Sequence, residues 1–423
     1  MQKLLEDKTP DLLNSTSELV STPVIEPSTF SSCFTESKVM ASLEPLMSYV
    51  RERNYEGSDL FDGLNSALFR ATPLYKSKLL RLAVIQFCKN SPINFRPLLM
   101  VPRGFNPKGG ALFLLGNINL LRHTGQELYA NEAYILYQRL KHTAISRRIG
   151  MAWGYNFDWQ ARAFYVPQGT PNVVTSVYVG RALLEYYRQF NEPEALEMVL
   201  QVSEFILDEM IQHEDDNTLC FNYIPGKDAE VHNASLLAAS YLAQTMHFMP
   251  ESQQSEVRQK VLKATYFSVG DIQADGSWPY GTKPFHRWVD NFHTAFNIES
   301  LVIISKMLET DELMPVLRKV LDYYLTHLFT EEGLPKYYNN KLFPIDVHVL
   351  AEVMVLFQLL RKSNMAWLPD LMKKIERTML DLVERFQDPK GYFYYQRTSR
   401  GWNRIPYIRW GQAWMFYALS AGL

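Results

Sequence analysis

Three carboxylates and three histidines stand where proton-transfer or glycosidic chemistry could be done. Asp158 lies in WGYNFDWQAR, among aromatic residues and with no evident helix start to cap. Asp290 comes three residues before His293, Asp346 two before His348, and Glu230 two before His232. Aligned as VHNASLLAA, FHTAFNIES and VHVLAEVMV, the segments put His232, His293 and His348 in one column, where two related segments carry Thr175 and Arg409. An acid at such a position can cap a helix, and a capping acid can face a ligand as well. Two carboxyl groups about 5 to 9.5 Å apart would support glycoside hydrolysis, and Asp158 with Asp290 or Asp346 is the pair on offer. A second set, with His232 or His293 as base, Tyr280 as proton donor and Arg287 or Arg409 as cation, would suit elimination or epimerisation of a uronate. Asp158 is expected to reach His232, His293 or Arg162. A three-histidine zinc site is the rival use of the column. Separate helices and the lack of an HxxxH or HxH pair argue against it, so no metal and no cofactor are expected.

Six of the eight tryptophans, Trp153, Trp159, Trp278, Trp288, Trp402 and Trp410, lie near this column or in the segments leading to it. Aromatic faces beside fixed polar groups suit a ligand with apolar faces and hydroxylated edges, which is to say a sugar. Trp153, Trp159, Trp278, Trp402 and Trp410, with Arg162, Arg287, His348 and Arg409, are therefore the candidate substrate-binding residues.

The elements that must position these groups repeat. Segments apolar nearly all round begin near Gly110, Asn172, His232, Asn291, Val347 and Ile408, at spacings of 62, 60, 59, 56 and 61 residues. Helices with a one-sided apolar stripe, such as 195–212, 311–328 and 368–386, alternate with them. A stripe suits a helix with solvent on one side, whereas an all-apolar helix must be buried on every side. Six of each predict an all-α fold, an (α/α)6 toroid of six helical hairpins, in which each hairpin needs its neighbours. The inner-to-outer turns are short, and the outer-to-inner loops are long and expected to hold short β-hairpins, so the chemistry should gather at one end. The expected organisation is a flexible N-terminal arm over 1–37 and a single toroid domain over 38–423, with helix 38–54 capping the ring and the first repeat starting near residue 74.

Composition narrows the partners. The 423 residues carry 43 Lys plus Arg and 45 Asp plus Glu, with no block of like charge that would mark a nucleic-acid surface. Three cysteines without a CxxC pair predict neither a disulfide framework nor a thiolate zinc site. No run of eighteen apolar residues occurs, so no membrane span is expected, and the start MQKLLEDKTPDLLNSTSEL lacks the apolar core of a signal peptide. A cytoplasmic location is the expectation.

The six-hairpin pattern resembles the toroid families that handle sugars: six-hairpin glycosidases, toroid domains of polysaccharide lyases, and sugar epimerases. The segments WGYNFDWQARAFYVPQGTPNVV, DGSWPYG, VDNFHTAF and IRWGQAWMFYAL resemble those of an uncharacterised bacterial group found with exopolysaccharide and surface-polysaccharide biosynthesis proteins. That resemblance spans most of 40–423 and implies a polysaccharide setting, with an oligo- or polysaccharide and polysaccharide synthesis proteins as partners, but not a reaction. DGSWPYG is similar to one Gln-Trp repeat of terpene cyclases, yet neither DxDD nor DDxxD occurs, and no Cys-His motif supports a lanthionine-cyclase-type zinc site. The functions left open are a glycoside hydrolase using cleft carboxylates, a uronate-directed lyase or epimerase, and a non-catalytic polysaccharide-binding or scaffold protein.

Overall fold

Apolar periodicity and capping residues set the helix boundaries. The computed structural model describes residues 34–160, 165–365 and 367–423. In chain order the helices longer than four residues are α1 (Glu36–Arg51), α2 (Lys78–Asn90), α3 (Pro107–Thr124), α4 (Glu127–His142), α5 (Val173–Phe190), α6 (Pro193–Glu209), α7 (His232–Thr245), α8 (Glu251–Val269), α9 (Asn291–Met307), α10 (Met314–His327), α11 (Val347–Lys362) and α12 (Pro369–Phe386). A π-helical turn over Ile408–Ala413 leads into α13 (Trp414–Ala421). Asn106, Asn172 and Asp290 cap α3, α5 and α9, each side chain accepting hydrogen bonds from first-turn amides. Gly125 and Asn191, both left-handed, close α3 and α5.

The expected inner starts hold: 107, 173, 232, 291, 347 and 408 against 110, 172, 232, 291, 347 and 408. Burial follows the alternation. Every residue from Val231 to Ala243 is buried, whereas α12 buries one face, Met372, Ile375, Met379, Val383 and Phe386, and leaves its charged face outside. The outer-to-inner connections carry the β-structure: β1 (Ile145–Ser146) with β2 (Met151–Ala152), β3 (Trp159–Gln160) with β4 (Tyr165–Val166), β5 (Ile211–Glu214) with β6 (Leu219–Phe221), and β7 (Ile345–Asp346), β8 (Gln396–Thr398) and β9 (Gly401–Asn403) in one antiparallel sheet.

The contacts fall into two compact sets. The first comprises residues 35–202, 343–351 and 381–423. At its centre α3 packs on α4, α5 and α13. Phe113 meets Phe416 edge-on at 5.5 Å, and Asn119 Nδ2 donates to Ser420 Oγ at 3.2 Å. A Cβ on Gly116 would come within 2.4 Å of the Phe416 ring, so only glycine permits this close approach. The first and last inner helices are thus neighbours, as a closed ring of hairpins requires. One expectation is corrected. Helix α1, read as a cap, packs along α13, with Arg51 Nε on Glu132 of α4 at 2.7 Å, and so takes an outer-helix place. Helix α2, read as the first outer helix, packs instead on the short helical turns 62–65 and 73–76 and on β3, within the long connection 52–106.

The second set comprises Ser203–Leu342 and Glu352–Leu380. Here α7 packs on α8 and α9, α9 on α10, and β6 lies against α7 and α8. The buried Glu376 of α12 is ion-paired with Arg361 of α11.

Candidate functional site

In the second set the first turn of α9 holds a carboxylate and an imidazole together. Asp290 has extended backbone, and its Oδ1 accepts the amide of His293 at 2.9 Å as a helix cap. Its Oδ2 takes the ring, lying 2.7 Å from His293 Nδ1. A carboxylate can only accept, so Nδ1 carries the hydrogen and Nε2 presents its lone pair in the neutral ring. Asp290 is buried, while the His293 side chain is 19% exposed. Among the described residues no hydrogen bond to Nε2 is formed, and that atom is not buried.

Aromatic rings enclose the imidazole. Tyr280 meets it edge-on at 4.5 Å and Trp288 at 5.5 Å, and Tyr280 and Trp288 stack on each other at 4.2 Å and 12°. Tyr338 stands edge-on to Trp288 at 5.9 Å, and burial together with the Asp290 charge raises its pKa above the ordinary value. The pairing of Tyr280 and Trp288 is fixed by the backbone, since the amide of Tyr280 donates to the carbonyl of Trp288 at 2.9 Å. His232 is fully buried, with Nε2 on Asp271 at 2.8 Å, and Asp271 is also paired with Arg287. Burial raises the Asp271 pKa, but the hydrogen bonds and charges of His232 and Arg287 outweigh it and hold the carboxyl below its usual range. Arg287 is therefore committed to Asp271. Trp278 is buried beside His232, with ring centroids 6.4 Å apart, and offers no face to a ligand.

The first set holds the remaining candidates, and its carboxylates are occupied. Asp158 Oδ2 accepts from Arg70 Nη2 at 2.6 Å and from the Tyr75 hydroxyl, and Oδ1 accepts the amide of Gln168 at 2.7 Å. Burial pushes its pKa up, yet the bonds from Tyr75 and Gln168 and the charge of Arg70 hold it below the ordinary range. Its cation is Arg70, eighty-eight residues upstream; Arg162 lies outside the described residues. The Tyr75 hydroxyl also contacts that of Tyr165 at 2.9 Å, and Arg81 bonds Gln160 at 2.9 Å. Asp346 is fully buried and accepts from Trp410 Nε1 at 2.9 Å, the amide of His348 at 2.9 Å and Gln396 Nε2 at 2.6 Å. Burial outweighs these donors and pushes its pKa up to about 6.

His348 is buried and stacked on Trp410 at 4.4 Å. Arg409 is buried in a bidentate pair with Asp59, at 2.7 and 2.8 Å. Trp153 is core, its Nε1 donating to the carbonyl of Leu140 at 2.9 Å. Trp402 packs edge-on against Phe386 at 4.8 Å, and Trp159 lies 6.4 Å from Phe61. The expected platform thus divides: Trp153 and Trp278 are buried, Trp159 and Trp402 are partly exposed, and Tyr280 keeps company with Trp288. Trp288, five residues before His293, joins the site rather than the expected platform, and Asp271, Arg70 and Tyr75 enter with no local motif to mark them.

No protein-family model matches the chain, and no curated protein matches it in sequence. Solved structures are similar in fold. The cellobiose 2-epimerase of Bacillus thermoamylovorans superposes with a TM-score of 0.58 at 14% identity, over 75% of this chain and 87% of that one. A family 76 glycoside hydrolase from a bovine Bacteroides thetaiotaomicron strain gives 0.56 at 11%, over 75% and 69%. An unsaturated glucuronyl hydrolase specific for heparin gives 0.56 at 8%, over 92% and 97%. The chain has the (α/α)6 toroid fold, and these neighbours are epimerases and glycoside hydrolases.

Proposed function

We propose that the protein is a carbohydrate-active enzyme that moves a proton on a sugar, an epimerase-type reaction with His293 as the acid–base group. The observation that carries this reading is the Asp290–His293 pair, with Nδ1 anchored and Nε2 left accessible among Tyr280, Trp288 and Tyr338. The base takes the proton from the carbon beside the sugar carbonyl, and the electron pair is held as an enediolate. Return of a proton to the opposite face re-forms the C–H bond with inverted configuration and no net redox change. Asp290 fixes the tautomer and steadies the imidazolium that forms. A fold shared with a cellobiose 2-epimerase supports this reading.

The glycoside-hydrolase reading rests on the cleft carboxylates. It is the weaker one, because Asp158, Asp290 and Asp346 each spend their lone pairs on the protein's own donors. A polysaccharide-biosynthesis setting in the cytoplasm belongs to the same proposal, resting on the resemblance of the loop segments. The test is incubation with cellobiose and with neutral and uronic oligosaccharides in D2O. Deuterium entering the carbon next to the carbonyl, abolished by His293→Ala, is the expected outcome. New reducing ends without exchange would replace this reading with hydrolysis.

A further inference from the structure

The segment that the repeat does not use has an unusual surface. Between Gly63 and Asn106 the chain carries seven Lys and Arg residues and no Asp or Glu, although acids slightly outnumber bases overall. Eight of the fourteen exposed large hydrophobic side chains among the described residues lie in this stretch: Leu68, Leu74, Leu79, Leu80, Phe87, Ile93, Leu98 and Met100. Helix α2 is amphipathic, but its stripe Leu80, Ala83, Val84 and Phe87 faces outward, while Ile85 and Cys88 face in. That stripe lines an open groove of about 460 Å³ together with Leu68, Phe69, Leu74 and Leu99. The amide of Ala67 on the carbonyl of Met100, at 3.2 Å, ties the two outer segments into one face with the helix.

We propose that this face docks on an anionic membrane surface. The apolar tips stand proud, Leu79 at 76%, Leu98 at 72% and Ile93 at 62% exposure, and come from separate turns of chain. Protruding leucine and isoleucine tips ringed by cations enter the boundary between headgroups and acyl chains, and the cations meet anionic lipid. Arg70, Arg81 and Arg96 are engaged within the fold, but Lys76 and Lys78 are exposed and stand next to Leu79 in the chain. No acid in the segment opposes them. The surface lies within one compact set and goes beyond the proposed chemistry, because it shares no residue with the site at Asp290 and His293.

The full chain is tested by sedimentation with vesicles of phosphatidylcholine alone and with about one-third phosphatidylglycerol. Binding to the anionic vesicles, weakened by salt, is expected. Leu79→Asp with Leu98→Asp should weaken it by at least about tenfold, since each leucine loses its transfer from water, and Lys76→Glu with Lys78→Glu should weaken it too. All four positions are exposed, so thermal melting should not change. Absence of vesicle binding, or binding indifferent to both double variants, overturns the proposal. So does light scattering that finds a wild-type dimer made monomeric by Leu79→Asp with Leu98→Asp, because a second copy then covers the face.

Discussion

The Asp290–His293 pair and the Asp158 cluster are both buried carboxylates beside a partner and aromatic rings, yet they are built for different ends. Asp290 spends one oxygen on a helix amide and the other on an imidazole whose far nitrogen stays accessible. Asp158 spends its oxygens on Arg70, Tyr75 and the Gln168 amide, and nothing it holds is left with a reactive atom turned outward. A carboxylate can thus orient a reactive group or pin a loop, and the difference lies in what its partner still has to offer. Asp346 belongs with the second kind, since its donors are an indole, an amide side chain and a backbone amide.

The comparison breaks most visibly in turnover. His293→Ala is expected to lower kcat by about 10²–10⁴-fold, the usual worth of a positioned acid–base group, measured as loss of deuterium exchange. Asp158→Asn should leave that rate within about twofold of wild type, well short of a catalytic contribution. Equal losses from the two substitutions would erase the distinction.

Asp290→Asn is a finer probe. Asparagine caps a helix as well as aspartate does, so the melting temperature should hold. Its amide no longer fixes the Nδ1–H tautomer, so kcat should fall about a hundredfold. A pH–rate profile should change shape as well, which a merely structural role would not produce. Unfolding with unchanged activity in the folded fraction would remove Asp290 from the chemistry.

Stability should show the reverse pattern. Asp158→Asn removes the charge that Arg70 and Tyr75 address, and a loss of about 1–3 kcal/mol in denaturant unfolding is expected. Arg70 is 39% exposed, so water takes up part of its demand and the lower half of that range is the better figure. A variant as stable as wild type would show that Asp158 pins nothing.

The six inner starts were legible because burial on all sides leaves an unbroken apolar pattern at a near-constant spacing. The first outer helix was not. Helices 36–51 and 78–90 both carry apolar stripes, and a stripe does not say which layer covers it; that of 78–90 is left outside. The histidine column was visible, but its members differ in ways that spacing conceals. An acid three residues before His293 reaches both its amide and its ring, whereas Asp346, two before His348, takes the amide while the His348 Nδ1 lies 3.3 Å from the Trp410 carbonyl oxygen. Glu230, two before His232, turns to Thr282 and Lys283, and His232 finds Asp271 instead. Arg70 and Tyr75 lie 88 and 83 residues from Asp158, and no local pattern could join them.

The smallest effect is a slope. Burial raises the Asp346 pKa from 3.8 to about 6, so between those values the folded chain binds a proton that the unfolded chain releases. Stability then falls as pH rises from about 4 to about 6, the opposite of what Asp158 contributes, because its depressed pKa makes stability fall as pH drops. Asp62, also buried and raised to about 6, adds to the downward slope, so the wild-type profile alone cannot isolate Asp346. Asp346→Asn can. The asparagine oxygen still accepts from Trp410 and the His348 amide, and its NH2 meets Gln396, whose own amide can turn over to accept. The variant carries no titrating group, so its stability relative to wild type should rise by about 2 kcal/mol between pH 4.5 and pH 7, measured by urea unfolding at both. A difference independent of pH would mean that Asp346 is ionised throughout and that its three donors, rather than its burial, decide its state.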